Sequence, residues 1–115
     1  MILRGRIVWA IIDKAIGRKP YLVVSNNPRN QAMQSFLAIR ITTSRKPTIP
    51  SVVELTPGEP VVGYVLCDEL MMLWQDEVVG DVGALSPATM SLVDGGLMHA
   101  LALRAHPTSP NRHQG

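Results

Sequence analysis

Residues 6 to 26 read RIVWAIIDKAIGRKPYLVVSN, two apolar segments separated by a short polar one. The segment from Arg6 to Ile12 is rich in β-branched residues and ends at Asp13, which indicates a first strand. The segment from Tyr21 to Asn26 is similar in composition and follows after a short loop that contains Gly17. A loop of this length joins antiparallel strands, so the sequence predicts a β-hairpin.

More strands are predicted further along the chain, over the ranges Phe36–Thr42, Val52–Leu55 and Val61–Cys67. In the first of these ranges a leucine and two isoleucines alternate with other residues, a period of two that places Arg40 and Thr42 on the opposite face of the strand. The Asn-Asn-Pro sequence that begins at Asn26 predicts a turn, because Asn tolerates unusual backbone angles and Pro cannot continue a strand pairing.

A helix is marked near the end of the chain. Ser86 is a good N-cap, Pro87 suits the first helical position, and Leu85 is placed to pack across the cap. The apolar residues that follow recur at helical spacing and predict a buried stripe of Met90, Val93, Leu97 and Leu101. Gly95 and Gly96 interrupt this pattern, so either another segment packs closely against the helix there or the helix is soft.

The chain has 115 residues, 46% of them hydrophobic, which is enough for one domain with a modest core. We expect a domain over residues 1–104 and a disordered polar tail over residues 105–115. The single cysteine, Cys67, and the lack of a signal sequence predict a cytoplasmic protein. No apolar run reaches the length of a membrane span, and no spacing of histidines indicates a metal site, so we expect no membrane segment, metal or cofactor.

Charge is divided unevenly along the chain. Residues 1–46 contain nine of the eleven Lys and Arg residues and a single acid, Asp13, for a net charge of +8. Residues 47–115 contain two basic residues and eight acids, for a net charge of −6. Either the basic segment binds a polyanion such as nucleic acid or an acidic protein, or the fold sets a solvated basic face against an acidic one.

Five segments, taken in order, resemble one known family, the MazF/PemK toxin ribonucleases of toxin–antitoxin systems. They are GRKPYLVVSNN from Gly17, ITTS from Ile41, VVEL from Val52, VLCDEL from Val65, and GALSPATM from Gly83, which leads into the final helix. The resemblance covers nearly all of residues 4–103. It implies a mainly β protein with a C-terminal α-helix, built as an SH3-like, strongly bent β-barrel.

The resemblance also implies function and partners. It predicts a homodimer that cleaves single-stranded RNA at short sequences and is neutralised by a cognate acidic antitoxin. The family's site pairs an Arg just before the Pro of the second strand with a Thr at the end of the third. The Thr matches Thr42, while the Arg position falls on Lys19, next to Arg18, so either cation is a candidate. Lys offers a point charge where Arg offers a planar fork.

Cleavage of RNA needs no metal in principle, because the RNA's own 2′-hydroxyl can attack the phosphate once it is oriented and the developing charge is stabilised. We expect Lys19 or Arg18 to neutralise the phosphate and Thr42 to donate a hydrogen bond to it. Residues further along the same region would contact the RNA: Arg40, Thr43, Ser44, Arg45 and Lys46.

The sequence leaves alternatives open for two tryptophans, for Asp13 and for the function of the whole chain. Trp9 and Trp74 are either core residues or platforms on which RNA bases stack. Asp13 is either a solvated turn residue or a proton acceptor. The alternatives for the whole chain are a gyrase-poisoning toxin of the CcdB type, whose C-terminal aromatic is missing here, and a non-catalytic SH3-like module that binds RNA or protein.

Overall fold

A computed structural model describes residues 1–104, which form six strands, two α-helices and one 3-10 turn. The elements follow one another as β1 (Arg6–Ile11), β2 (Arg18–Val23), α1 (Asn27–Ala32), β3 (Ser35–Thr42), β4 (Val52–Glu54), β5 (Tyr64–Trp74), the 3-10 turn (Gln75–Glu77), β6 (Val78–Ala84) and α2 (Pro87–Ala100). The expected mainly β protein with a C-terminal helix is confirmed.

All six strands belong to one antiparallel sheet in the order β4-β5-β3-β2-β1-β6. Within residues 1–104 the two outer strands, β4 and β6, do not pair with each other, so the sheet is open. The expectation of a barrel is therefore met only in its coarser form, an antiparallel sheet with a helix packed on it.

The predicted hairpin is present. Strands β1 and β2 are paired in a register that sets Trp9 opposite Pro20. In the turn between them, the exposed Asp13 accepts a hydrogen bond from the backbone N–H of Ala15 at 2.9 Å. Gly17 closes the turn at a φ of +86°, a region that glycine enters without strain. Of the two interpretations of Asp13, the solvated turn residue is therefore the correct one.

The central strand β3 is buried on both faces. On one face, Ile39 and Ile41 join a core cluster with Ile7 of β1 and Val93 of α2. On the other face lies a second cluster, made of Val8, Ala10, Tyr21, Val23, Phe36, Ala38 and Leu73. The predicted alternation is correct in period. The face opposite the isoleucines is nevertheless apolar over most of its length, because it packs into the second core cluster.

Three elements differ from the sequence prediction. Strand β5 begins at Tyr64 and extends to Trp74, well beyond Cys67, and β6 was not predicted at all. The third difference is α1, a helix where the Asn-Asn-Pro sequence predicted a turn. Asn26 caps it by accepting a hydrogen bond from the Arg29 N–H at 2.9 Å, and proline is tolerated in a first helical turn.

Helix α2 begins as predicted. Ser86 is its N-cap and accepts a hydrogen bond from the Thr89 N–H at 3.2 Å. Val93 is fully buried, and Met90 and Leu97 pack against the same core cluster. Leu101, however, is 50% exposed, because the helix ends at Ala100 and Leu101 is its C-cap, so the predicted buried stripe stops before it.

The two helix glycines differ in their surroundings. A Cβ on Gly96 would lie 2.7 Å from the Cys67 sulfur and 3.1 Å from the carbonyl oxygen of Pro50. A Cβ on Gly95 would meet nothing within 4 Å. The close-packing interpretation of this glycine pair is therefore correct at Gly96, where the helix rests on the sheet.

The predicted tail at residues 105–115 lies outside the described residues. Within residues 1–104, no helix is long and apolar enough to cross a membrane.

The glycine pair gives a matched test of this packing. We expect Gly96→Ala to lower the free energy of unfolding by about 1 to 3 kcal/mol, since the added methyl overpacks the contact with Cys67. Gly95→Ala is expected to raise it by up to about 1 kcal/mol, because alanine is the better helix former. Urea denaturation of both variants measures the two effects, and equal changes would contradict the close contact at Gly96.

Candidate active site

The two candidate cations lie on opposite faces of the sheet. Lys19 is paired with Ala10, whose side chain is fully buried in the second core cluster. Arg18, the preceding residue of the strand, lies on the opposite face, and its guanidinium is 4.4 Å from the centroid of the Trp9 ring. Since successive side chains of a strand alternate between its faces, Lys19 and Arg18 cannot both point to the same site without a change in the strand.

Thr42 lies at the end of β3, beside the start of β2. The β2–β3 pairing ends at Tyr21 and Arg40, and Lys19 and Thr42 each lie two residues beyond it on their own strands. The Thr42 hydroxyl oxygen accepts a hydrogen bond from the Ser44 N–H at 3.2 Å. A hydroxyl carries one proton and two acceptor sites, so this bond orients Thr42 and leaves its proton free to donate.

Gly63 holds the backbone of Thr42 in place from the neighbouring segment. Its φ is +129°, and a Cβ there would overlap the carbonyl oxygen of Thr42. Only glycine allows this approach. The sequence offered a signal in Gly63, which lies inside the predicted strand Val61–Cys67, because a glycine within a strand can mark a close backbone approach. The partner of the close contact is visible only in the fold.

The residues expected to contact RNA fall into two groups. Thr43, Ser44 and Arg45 are exposed and Lys46 half-buried, in the loop that follows Thr42. Arg40 instead faces Glu69, with 3.4 Å between its guanidinium and the carboxylate. Arg40 is thus the one residue of this set that pairs with an acid among residues 1–104.

The two oppositely charged halves of the chain meet in the fold at three ion pairs. Arg4 pairs with Asp94 of α2, Arg6 binds both carboxylate oxygens of Asp81 on β6, and Arg40 pairs with Glu69. Part of the basic segment is therefore balanced internally, as the interpretation that needs no partner predicts.

Six basic residues of that segment form no ion pair within residues 1–104. One is Arg29 of α1, whose guanidinium donates hydrogen bonds to Ser35. The other five are Lys14, Arg18, Lys19, Arg45 and Lys46. Strand β1 ends, β2 begins and β3 ends at the same end of the sheet, because neighbouring strands are antiparallel. All five residues lie in or next to these strand ends, and we call them the cationic end. The excess positive charge is therefore concentrated beside Thr42.

A pocket of about 440 Å³ opens at this end of the sheet. Its lining is mostly apolar and consists of Trp9, Pro20, Thr43, Glu59, Pro60, Val61 and Val62. Trp9 is half-buried and belongs to neither core cluster of the described chain, whereas Trp74 is 49% exposed at the far end of β5. Sequence reasoning named Trp9 as a possible platform but did not find the pocket.

Glu59 fixes one wall of the pocket to α2. Its carboxylate accepts hydrogen bonds from the Ser86 N–H at 3.0 Å, from the Ser86 hydroxyl at 2.7 Å and from the Thr89 hydroxyl. Hydrogen bonding to Thr89, assisted by Ser86 and opposed by burial, lowers the pKa of Glu59. Sequence reasoning missed this residue, since its partners are distant in the chain.

The other titratable candidates do not form a reactive site. Burial raises the pKa of the Cys67 thiol to about 11, so it is a protonated core residue. Within residues 1–104, no three His, Cys, Asp or Glu side chains are grouped closely enough to hold a metal ion.

Comparison with known proteins assigns the chain to a family. Residues 3–101 match the family of PemK-like, MazF-like toxins of type II toxin–antitoxin systems, and the chain belongs to that family. Among its relatives are endoribonuclease MazF1 of Mycobacterium bovis and endoribonuclease MazF4 of Mycobacterium tuberculosis. Each is 41% identical over 101 residues, which cover 88% of this chain and 93% of the relative.

Solved structures give the same assignment. A mycobacterial endoribonuclease in complex with its cognate antitoxin superposes with a TM-score of 0.84 at 39% identity, covering 92% of this chain and 100% of the other. A MazE–MazF complex from Deinococcus radiodurans superposes with a TM-score of 0.77 at 26% identity, covering 90% and 97%.

The lowered pKa of Glu59 predicts a pH-dependent stability. A carboxylate whose pKa is depressed by folding stabilises the fold above its unfolded pKa, and this contribution is lost as the pH falls through the folded pKa. We expect Glu59→Gln to be less stable than wild type at neutral pH, with the difference narrowing below about pH 4.3. Urea denaturation across this range measures it, and Glu54→Gln, an exposed glutamate of β4, is the control.

Proposed function

We propose that this toxin is a metal-independent endoribonuclease that cleaves single-stranded RNA at short specific sequences. The observation that carries the proposal is the Thr42 hydroxyl, which the Ser44 N–H orients and whose proton stays free. Lys19 and Thr42 each lie two residues beyond the last β2–β3 pair, Tyr21 and Arg40. The endoribonuclease names of relatives at 41% identity support the reaction class.

The reaction uses a nucleophile that the substrate supplies. The 2′-oxygen attacks the adjacent phosphorus, the bond from phosphorus to the 5′-oxygen breaks, and the products are a 2′,3′-cyclic phosphate and a 5′-hydroxyl. Lys19 neutralises the negative charge that builds on the phosphate oxygens, and Thr42 donates a hydrogen bond to one of them. Arg18, which lies on the opposite face over Trp9, then serves binding rather than catalysis.

The cationic end also suits the partners that we propose. Thr43, Ser44, Arg45 and Lys46 follow Thr42 directly and would hold the RNA backbone, with Arg40 joining them only if Glu69 releases it. A cognate acidic antitoxin would cover the same charges, and the antitoxin complexes of structural relatives support such a partner. We place the active form in the cytoplasm as a homodimer.

We further propose that the open sheet is a variant of the SH3-like bent barrel. Strand β5 supports this, because it pairs with β4 through Tyr64 to Leu66 and with β3 at both of its ends, through Tyr64 and Val65 and again from Leu70 to Trp74. The β3–β5 register shifts between Ile39 and Ile41, an irregularity that bends a strand.

The mechanism predicts which atoms are required. Lys19→Ala and Thr42→Val should each slow cleavage by roughly 10²-fold or more, since each removes one stabilising contact in the transition state. Lys19→Arg should retain activity, because it keeps the charge at that position. Thr48→Val, an exposed threonine of the β3–β4 loop, is the matched control and should cleave normally. Rates on a labelled single-stranded RNA measure these effects.

Two substrate conditions test the chemistry directly. Cleavage should continue in excess EDTA and should stop on an RNA with a single 2′-deoxy at the scissile nucleotide. Cleavage of that RNA at the normal rate would refute attack by the 2′-hydroxyl. If the Arg18→Ala variant is inactive and the Lys19→Ala variant is fully active, Arg18 is the cation that stabilises the phosphate.

Charge reversal tests the shared surface. Arg45→Glu with Lys46→Glu should weaken binding of both single-stranded RNA and an acidic antitoxin, because both rely on the same cationic end. Arg104→Glu, an exposed arginine outside that end, is the control. Fluorescence anisotropy with labelled RNA and labelled antitoxin measures the two affinities. An unchanged antitoxin affinity would show that inhibition acts through another surface.

A further inference from the structure

Each of the two proposed catalytic residues is the chain neighbour of a residue that lines the pocket. Lys19 precedes Pro20, and Thr42 precedes Thr43. Lys19 and Thr42 face one side of the sheet end, while Trp9 and its partner Pro20 face the other. The pocket therefore adjoins, along the chain, both residues that we propose to contact the reacting phosphate, and it opens on the other side of the sheet end.

The pocket matches the two parts of an unpaired nucleotide. Its interior is apolar and holds the Trp9 ring, and the exposed Arg18 guanidinium lies 4.4 Å from the centroid of that ring. Single-stranded RNA is bound in this way elsewhere, with bases stacked on aromatic or guanidinium planes and phosphates held by basic side chains. A volume of about 440 Å³ lies in the range of pockets that take small ligands.

The pocket suits a base better than an acidic peptide. Its one charged lining residue is Glu59, which keeps its negative charge because three hydrogen bonds favour the carboxylate. An acidic side chain entering there would be repelled. The amino group of a base, by contrast, donates to a carboxylate.

From these observations we infer that the pocket between Trp9, Pro20 and Val62 is a specificity subsite that receives one unpaired base of the RNA next to the cleaved bond. This inference rests on the proposed ribonuclease function and adds to it the residues that select sequence. Glu59 acts as a positioning residue, since it ties the wall formed by Pro60 to Val62 to the start of α2.

Fluorescence reports on the pocket without any cleavage. The chain contains two tryptophans, so Trp74→Phe leaves Trp9 as the sole reporter. We expect its emission to be quenched by at least one of four 2′-O-methyl oligoribonucleotides, of A, C, G or U, which cannot be cut by 2′-hydroxyl attack. An abasic oligomer of equal length has the same phosphates and should bind without quenching. In that background Trp9→Leu should lower affinity roughly 10-fold, measured by anisotropy, and Trp9→Phe should restore part of it.

Cleavage mapping then tests selection. Val62 is 74% exposed, so Val62→Tyr fills the pocket entrance without disturbing the core, and it should change which sites of a long RNA are cut. Val79→Tyr, an exposed valine of β6 outside the pocket, should leave the sites unchanged. Melting temperatures check that all variants fold.

The outcomes separate the two proposals. Cleavage with no Trp9 quenching, or identical sites for Val62→Tyr and Val79→Tyr, would overturn the base pocket and leave the ribonuclease standing. Base-dependent quenching without cleavage by the wild type would support the pocket and refute the ribonuclease. Quenching by an acidic antitoxin peptide but by none of the four oligomers would assign the pocket to the antitoxin and overturn the inference.

Discussion

Burial of β3 on both of its faces is the constraint on which the rest of the structure depends. Ile39 and Ile41 anchor the core beneath α2, and Phe36 and Ala38 anchor the core on the other face. A strand packed on both faces cannot slip by one residue, because every side chain would then exchange one core for the other. The register of β2 and β5 is fixed by this strand, and so is the position of Thr42 at its end.

The charge distribution has a similar logic. The basic half of the chain builds the centre of the sheet, and acids from the later half neutralise it at Arg4, Arg6 and Arg40. Apart from Arg29 of α1, the basic residues of this half that form no ion pair among residues 1–104 are gathered where three strand ends meet. A concentrated positive field there draws a polyanion toward the site before any specific contact forms. Apolar contacts in the adjoining pocket can then discriminate among sequences, which phosphate contacts cannot do.

Local chemistry made much of this predictable. The hairpin follows from two β-branched segments around Gly17, and the start of α2 from Ser86 and Pro87. Strand β6 was missed because its sequence, VVGDVGA, is interrupted by glycines and an aspartate whose partners lie on β1. Thr42 and Lys19 were named from the family pattern. The pocket and Glu59 were not, since contacts between β1, the β4–β5 segment and α2 join residues that no local spacing relates.

Gly63 carries a consequence for the genetics of such a toxin. Every amino acid other than glycine has a Cβ, which at this position would meet the Thr42 carbonyl, and the local φ of +129° is strained for all of them. Any missense change of that codon therefore displaces the end of β3 without altering a residue that we propose to contact RNA. Cells that survive expression of the toxin without its antitoxin would be enriched for such alleles, so a screen for survivors would find this glycine as readily as the proposed catalytic residues Lys19 and Thr42.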